Sequence, residues 1–189
     1  MVVNFLMSTV VNFLVDIHIL ILIPLGVVTG IQPIISYNYG AKLYERVREV
    51  TRLGMIFMLL VATFLTVVLF LFTDPIVSFF SGGDPALQEI GVWSTRVFNI
   101  SFPLASIIVL ISGYFEAIEK NVKATLIAVS RSFIFCMPLY YLLPGLFGVS
   151  GVWYSVPLAD VLAFLFAVLF MNTEFHRLKR MTKQEVETI

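Results

Sequence analysis

Five long apolar runs follow one another along this chain, and each is long enough to cross a lipid bilayer. About 20 apolar residues in a helix span the hydrocarbon core, where only helices and closed barrels satisfy every backbone polar group. The sequence therefore predicts an all-α polytopic membrane protein with about five transmembrane helices. Two interpretations of residues 1–15 remain open: they extend the first span, or they are the remnant of a preceding helix. The runs cover approximately residues 16–39, 53–72, 90–117, 122–143 and 151–171.

The composition excludes several classes of function. Charged residues make up 13% of the chain, whereas a soluble domain is near a quarter charged. Twelve basic and twelve acidic residues cancel, so no basic field is available for nucleic acid. One cysteine and two histidines provide neither a disulfide framework nor a metal site. An intramembrane enzyme would need a nucleophile with its base, or paired carboxylates, at membrane depth. We therefore expect no nucleic-acid partner, no cofactor, no metal and no enzymatic activity.

Lysine and arginine residues concentrate in three polar segments, which five alternating spans place on one side of the membrane. Cytoplasmic loops carry an excess of Lys and Arg, so we expect the loops at 41–52 and 118–123 and the C-terminus to be cytoplasmic. The cytoplasmic tail then covers residues 179–189. The basic residues of these segments are Lys42, Arg46, Arg48, Arg52, Lys120, Lys123, Arg177, Lys179, Arg180 and Lys183.

Two patterns predict the structure of the connections. Within residues 41–52 the apolar side chains recur at helical spacing opposite the charged ones, which is typical of an amphipathic helix lying at the membrane surface. Asp74-Pro75 and Asp84-Pro85 each place Asp at a helix N-cap and Pro at the first helical position. These pairs predict a short interfacial helix followed by the start of the third span.

Two ionisable residues lie deep inside predicted spans. Arg131 is about ten residues into the fourth helix and Asp160 about ten residues into the fifth, so each lies roughly 15 Å deep. Because the two helices are antiparallel neighbours, the depths coincide, and we predict a salt bridge or a water-linked pair. Two roles remain open: the pair fixes helix register, or it takes part in proton or ligand binding. Glu119 and Lys120 are expected to be solvated loop charges.

A motif at the inner end of the first span identifies a family resemblance. Residues 30–42 read GIQPIISYNYGAK, which resembles the cytoplasmic end of the eighth helix in multidrug and toxic compound extrusion (MATE) transporters. Residues 98–103 and 112–117, FNISFP and SGYFEA, resemble the tenth helix of that family. Residues 130–160 resemble helices eleven and twelve of its bacterial drug-exporter branch. The resemblance implies a twelve-helix fold in two six-helix lobes, of which residues 1–178 would supply a partial C-terminal transmembrane lobe.

The resemblance also implies a function and a set of partners. The chain is expected to be part of a secondary active antiporter in the bacterial plasma membrane, exporting drugs or amphipathic organic cations in exchange for sodium or protons by alternating access. The implied partners are the lipid bilayer, these cations and a first lobe that the chain does not contain. The alternative is a non-transporting membrane fragment or subunit that needs a first-lobe partner.

Candidate site residues follow from the motif and from membrane depth. The transport motif contributes Gln32, Pro33, Tyr37, Asn38 and Gly40. Our hypothesis is that Pro33 frees a carbonyl, while Gln32 and Asn38 bond to neighbouring helices. The remaining candidates, on a substrate or cation path, are Tyr114 and Glu116.

Overall fold

The computed structural model describes residues 22–81, 85–148 and 150–187. These residues are almost entirely helical and contain no β-strand, which confirms the predicted all-α class. The helix α1 occupies residues 22–40. The later elements are α2 (Tyr44–Ser81), α3 (Pro85–Asn99), α4 (Phe102–Ala117), α5 (Asn121–Val129), a π-helical turn (Ser130–Cys136), α6 (Met137–Phe147) and α7 (Ser150–Glu187).

Helix α4 lies at the centre of the bundle. It is apolar on every side, which is typical of a helix enclosed by others, and it packs against α2, α5 and α7. Its side chains Ile108, Leu110, Ile111 and Phe115 are at most 2% exposed. The surrounding helices present much of their apolar surface outwards, as expected for a bundle solvated by lipid.

Three of the described helices are long and apolar enough to cross a membrane. They are Tyr44–Phe79, Asn121–Phe147 and Gly151–Gln184, and α3 with α4 makes a fourth if that bent pair counts as one broken span. The predicted spans at 53–72, 122–143 and 151–171 lie inside these longer helices. The predicted span at 16–39 begins outside the described residues.

The predicted interfacial helix after Asp74 is wrong, because α2 continues through Pro75. A proline inside a helix removes one backbone hydrogen bond, and here that loss does not end the helix. The Thr73 hydroxyl donates to the Leu69 carbonyl at 2.6 Å, one turn back. Asp74 does not cap a helix, since its carboxylate accepts a hydrogen bond from Arg96 at 2.6 Å. The other predicted cap, Asp84, lies outside the described residues.

The predicted span at 90–117 is broken near its middle. Helices α3 and α4 meet at an angle of 43°. Pro103, near the start of α4, has no N–H to bond the carbonyl of Asn99 one turn back. The Thr66 hydroxyl of α2 donates to that carbonyl at 3.5 Å. The break thus leaves a backbone acceptor that a neighbouring helix partly satisfies.

The connection at 41–52 also differs from the prediction. From Tyr44 onwards this amphipathic segment is the first part of α2 rather than a separate surface helix. Tyr44 and Val47 on this segment belong to the same buried cluster as Leu178 near the end of α7. Burial of these apolar side chains against α7 accounts for the amphipathic pattern without a membrane surface.

The opposite end of α7 packs against α3 through aromatic rings. Trp93 lies edge-on to Trp153, with ring centroids 6.4 Å apart, and Phe98 lies edge-on to the same ring at 5.4 Å. Edge-to-face pairs of this kind are favourable at such distances. They connect the C-terminal half of α3 to the first turn of α7.

Candidate functional site

Arg131 and Asp160 meet in the middle of the bundle. The Arg131 Nε atom donates to Oδ1 of Asp160, and one terminal nitrogen lies 3.4 Å from Oδ2. The Ser101 hydroxyl donates to the same Oδ2 at 2.6 Å. Asp160 is 1% exposed, so both oxygens of a buried carboxylate have donors. A buried charge is tolerated when it is paired and hydrogen-bonded in this way.

Each of these three side chains lies at an irregularity in its helix. Ser101 lies at the break between α3 and α4. Arg131 lies in the π-helical turn, a rare element that is frequently found at functional sites. Asp160 follows Pro157, which lies inside α7, by three residues. Irregular backbone at membrane depth is tolerated where it is buried in protein or lines a cavity.

The structure thus brings together the two ionisable residues that were selected by their depth, and it adds a neutral hydroxyl, that of Ser101. Ser101 was not a candidate from the sequence. Ser101 directly precedes Phe102-Pro103, a pattern typical of a helix start. That pattern could have indicated a break between helices inside the third span, with the Ser101 hydroxyl beside it.

A second polar feature is a cleft between α1 and α4 at the Pro33 motif. Gln32 Nε2 donates to the Gly113 carbonyl at 3.2 Å and to Glu116 Oε2 at 3.1 Å. The Ser36 hydroxyl donates to the Ala117 carbonyl at 2.8 Å. The cleft has a volume of about 410 Å³ and is lined by Thr29, Gln32, Pro33, Ser36, Glu116 and Ala117.

The hypothesis about the two amides of the motif is right for Gln32 and wrong for Asn38. Gln32 bonds to the neighbouring helix α4, as described above. Asn38 Nδ2 instead donates to the Ile34 carbonyl one turn back in α1, at 2.8 Å. This hydrogen bond therefore stays within α1.

The other candidates lie apart from the cleft. Tyr37 is 76% exposed, and Gly40 ends α1 with open space where a Cβ would be. Tyr114 is 1% exposed in the core of the bundle. Its hydroxyl is buried and has no hydrogen-bond partner among the described residues. The structure therefore places Tyr114 behind the cleft wall rather than on it.

A buried carboxylate in the C-terminal half of α7 was not a candidate from the sequence. Glu174 is 1% exposed. It accepts a hydrogen bond from Lys120, and it lies 3.8 Å from Lys123 Nζ and 3.4 Å from a terminal nitrogen of Arg177. We call these four residues the Glu174 cluster. The prediction that Lys120 is a solvated loop charge is wrong. Burial lowers the pKa of the Lys120 ammonium, and the hydrogen bond to Glu174 opposes that shift.

Comparisons with known proteins agree with the fold and the motif. Multidrug export protein MepA of Staphylococcus aureus (strain NCTC 8325 / PS 47) is 28% identical over 174 residues, covering 88% of this chain and 36% of that protein. MepA of Staphylococcus saprophyticus (strain ATCC 15305) is 26% identical over 152 residues, covering 79% of this chain and 33% of its own length. This chain therefore spans about a third of the length of the curated relatives it matches.

Solved structures of transporters show the same fold. The MATE transporter ClbM in complex with Rb⁺ superposes with a TM-score of 0.82 at 20% identity, covering 96% of this chain and 42% of that one. An inward-facing multidrug resistance MATE transporter gives a TM-score of 0.80 at 16% identity, over 86% of this chain and 38% of that one. The MatE family model matches residues 1–142. The chain therefore belongs to the MatE family, as the motif at residues 30–42 predicted.

Proposed function

We propose that this chain forms part of the second lobe of a secondary active antiporter in the bacterial plasma membrane. The complete transporter exports drugs or amphipathic organic cations in exchange for sodium ions or protons by alternating access. Membership of the MatE family supports this proposal, as does the similarity to relatives that are named multidrug export proteins. The chain acts as a transporter component rather than as an enzyme.

The observation that carries the proposal is the buried carboxylate of Asp160 among irregular helices. Insertion scales put the cost of an ionisable residue at the centre of a span at roughly 2.5–3.5 kcal/mol. Here Asp160 and Arg131 form an ion pair beside a helix break and a π-helical turn. Secondary transporters build their sites from discontinuous helices near the midplane, and the arrangement around Asp160 has that form.

The cleft between α1 and α4 suits a cationic guest. The exposed Glu116 carboxylate provides negative charge, and among the described residues it accepts a hydrogen bond from the neutral Gln32 amide rather than from a cation. Two hydroxyl-bearing side chains, Thr29 and Ser36, line the same cleft. Charge and polar donors at the open cytoplasmic half of the bundle would receive an organic cation before it crosses the membrane.

Dye export tests this function directly. The chain is expressed alone and together with a first-lobe partner, and ethidium transport is measured in vesicles under an imposed sodium or proton gradient. We expect export only with the partner, and the effective gradient identifies the coupling ion. Absence of export in both cases would favour the alternative of a non-transporting fragment or subunit.

The two open roles of the midplane pair are separated by Asp160→Asn, measured in the partnered transporter. The amide keeps the shape of the carboxylate but loses its charge. Normal assembly on size-exclusion chromatography with lost gradient dependence assigns Asp160 to coupling. Poor assembly with an unchanged rate per assembled transporter assigns it to helix register.

A further inference from the structure

The Glu174 cluster carries more positive charge than its own carboxylate neutralises. Three cationic side chains surround one carboxylate, which leaves a formal charge of about +2 when all four groups are ionised. Glu174 is fully enclosed, whereas the side chains of Lys123 and Arg177 are 37% and 50% exposed. The excess charge therefore lies on the two partly exposed cations, of which Lys123 also lies over the Phe115 and Phe170 rings at 5.5 and 5.9 Å.

Lys123 and Arg177, the partly exposed cations, have N–H donors left for a further anion. An ammonium has three N–H donors and a guanidinium has five. Arg177 directs one terminal nitrogen to Glu174 at 3.4 Å, and half of its side chain remains accessible. Since a carboxylate offers only two oxygens, Glu174 cannot use all the donors around it. Phosphate oxygens are matched to such donors, because charge-assisted hydrogen bonds of this kind are the strong ones.

The cluster lies at the level expected for lipid headgroups. Glu174 is three residues beyond Met171, where the predicted fifth span ends, which is about 4.5 Å along the helix axis. Lys120 and Lys123 flank the start of α5 at the same end of the bundle. The distribution of Lys and Arg predicts that this end is cytoplasmic, and the cytoplasmic leaflet carries the anionic surface potential that attracts basic residues.

Exposed apolar surface extends from the cluster towards the membrane centre. On α5, Val122 and Leu126 are 75% and 43% exposed. On α7, Leu165 and Leu169 are 53% and 65% exposed and lie on the same row, at four-residue spacing, as Arg177. A molecule with a phosphate at one end and hydrocarbon at the other matches this order of charge and apolar surface.

We propose that the Glu174 cluster binds the headgroup phosphate of an anionic phospholipid from the cytoplasmic leaflet. Lys123 and Arg177 donate to the phosphate, and an acyl chain lies along Leu126 and Leu169. Glu174 holds the cations in place from the buried side. This lipid site is independent of the proposed transport function, because it requires neither a first lobe nor a substrate.

A tryptophan reporter beside the cluster tests the proposal in the complete chain. Val122→Trp places an indole next to Lys123, whereas the native Trp93 and Trp153 lie together at the opposite end of the bundle. The protein is reconstituted into vesicles that contain brominated phosphatidylglycerol or brominated phosphatidylcholine. Quenching of the reporter then measures which lipid occupies the site. We expect a clear preference for phosphatidylglycerol.

Charge-removing variants in the reporter background identify the residues that hold the lipid. One basic residue contributes roughly 1 kcal/mol of attraction to an anionic surface, so Lys123→Gln and Arg177→Gln should each reduce the preference about fivefold. Lys183→Gln is the matched control, because it removes the same charge about 9 Å further along α7 than Arg177. It should leave the preference unchanged. Unaltered quenching by brominated phosphatidylcholine shows that each variant is inserted and folded.

Three results would overturn the proposal. The first is equal quenching by the two lipids in the unsubstituted reporter protein. The second is an equal loss of preference in the Lys183 control, which would show only a diffuse effect of net charge. The third is abolition of the preference by excess inorganic phosphate at constant ionic strength, which would show a site for a free anion.

Discussion

Substitution of Gly113 by alanine should push α1 away from α4. A Cβ added at Gly113 would lie 2.2 Å from Cγ1 of Val28 and 3.3 Å from Nε2 of Gln32. Small residues at helix crossings in membranes let the backbones approach closely, and Gly113 has that role here. Displacement of α1 would also remove the hydrogen bond between Gln32 and the Gly113 carbonyl.

The size of the effect follows from the collision. Non-bonded carbon atoms are most favourable at about 3.5–4.0 Å, so the two atoms must separate by about 1.3 Å or more. Val28 is β-branched, and its χ1 is nearly fixed in a helix, so the side chain cannot rotate aside. Overpacking of this kind costs about 1–3 kcal/mol, and the better helix propensity of alanine returns about 1 kcal/mol. We expect a net loss of about 1 kcal/mol in unfolding free energy.

A double-mutant cycle isolates this contact. Unfolding free energies are measured by titrating the protein from mild detergent into sodium dodecyl sulfate for Gly113→Ala, Val28→Ala and the double variant. The double variant should recover most of the loss, with a coupling of about 2 kcal/mol. Gly30→Ala is the matched control on α1, because its Cβ would meet nothing within 4 Å. Wild-type stability in Gly113→Ala, or strictly additive effects in the double variant, would refute the argument.

The same titration checks three further predictions. Gly151→Ala should lower the unfolding free energy by about 3 kcal/mol or more, because its Cβ would lie 2.4 Å from the backbone of α6. The control Gly145→Ala has open space at its Cβ and should stay within about 1 kcal/mol of wild type. Glu174→Gln should cost about 3 kcal/mol, since it leaves three cations, of which Lys120 is only 19% exposed, without their buried countercharge, and a loss below about 1 kcal/mol would contradict its burial. Asp74→Asn should cost less than about 1 kcal/mol and nothing at high salt, because the paired Asp74 and Arg96 side chains are 55% and 39% exposed.

The parts of the fold that depend on solvent and length were accessible from the sequence. Long apolar runs require helices in a bilayer, and depth arithmetic at 1.5 Å per residue was sufficient to pair Arg131 with Asp160. Both arguments use distances along the sequence, namely the length of an apolar run and the depth of a residue within it, which tertiary packing does not alter. The family motif added the neighbourhood of Gln32, which the structure places against α4.

The parts that depend on neighbouring helices were not accessible. Pro75 and Pro103 each remove one backbone hydrogen bond. Helix α2 nevertheless continues through Pro75, whereas the helix of the third span is interrupted near Pro103. The sequence does not show which neighbours will satisfy the freed groups. In the sequence Glu174 looks like one more charge in a polar tail, whereas in the fold it is buried and pairs with Lys120 in the loop after α4. The prediction that Asn38 bonds to a neighbouring helix was wrong for the converse reason, because its amide donates to an acceptor in its own helix.

The length of α7 has a mechanical consequence. At 38 residues the helix is about 57 Å long, almost twice the thickness of a hydrocarbon core, and Pro157 lies close to its N-terminal end. The portion beyond Pro157 measures about 45 Å, so each degree of bending at the proline would swing the C-terminal tip by roughly 0.8 Å. A change of ten degrees at the proline would move the tip by about 8 Å, more than a full helical turn. The helix therefore has the dimensions of a lever arm.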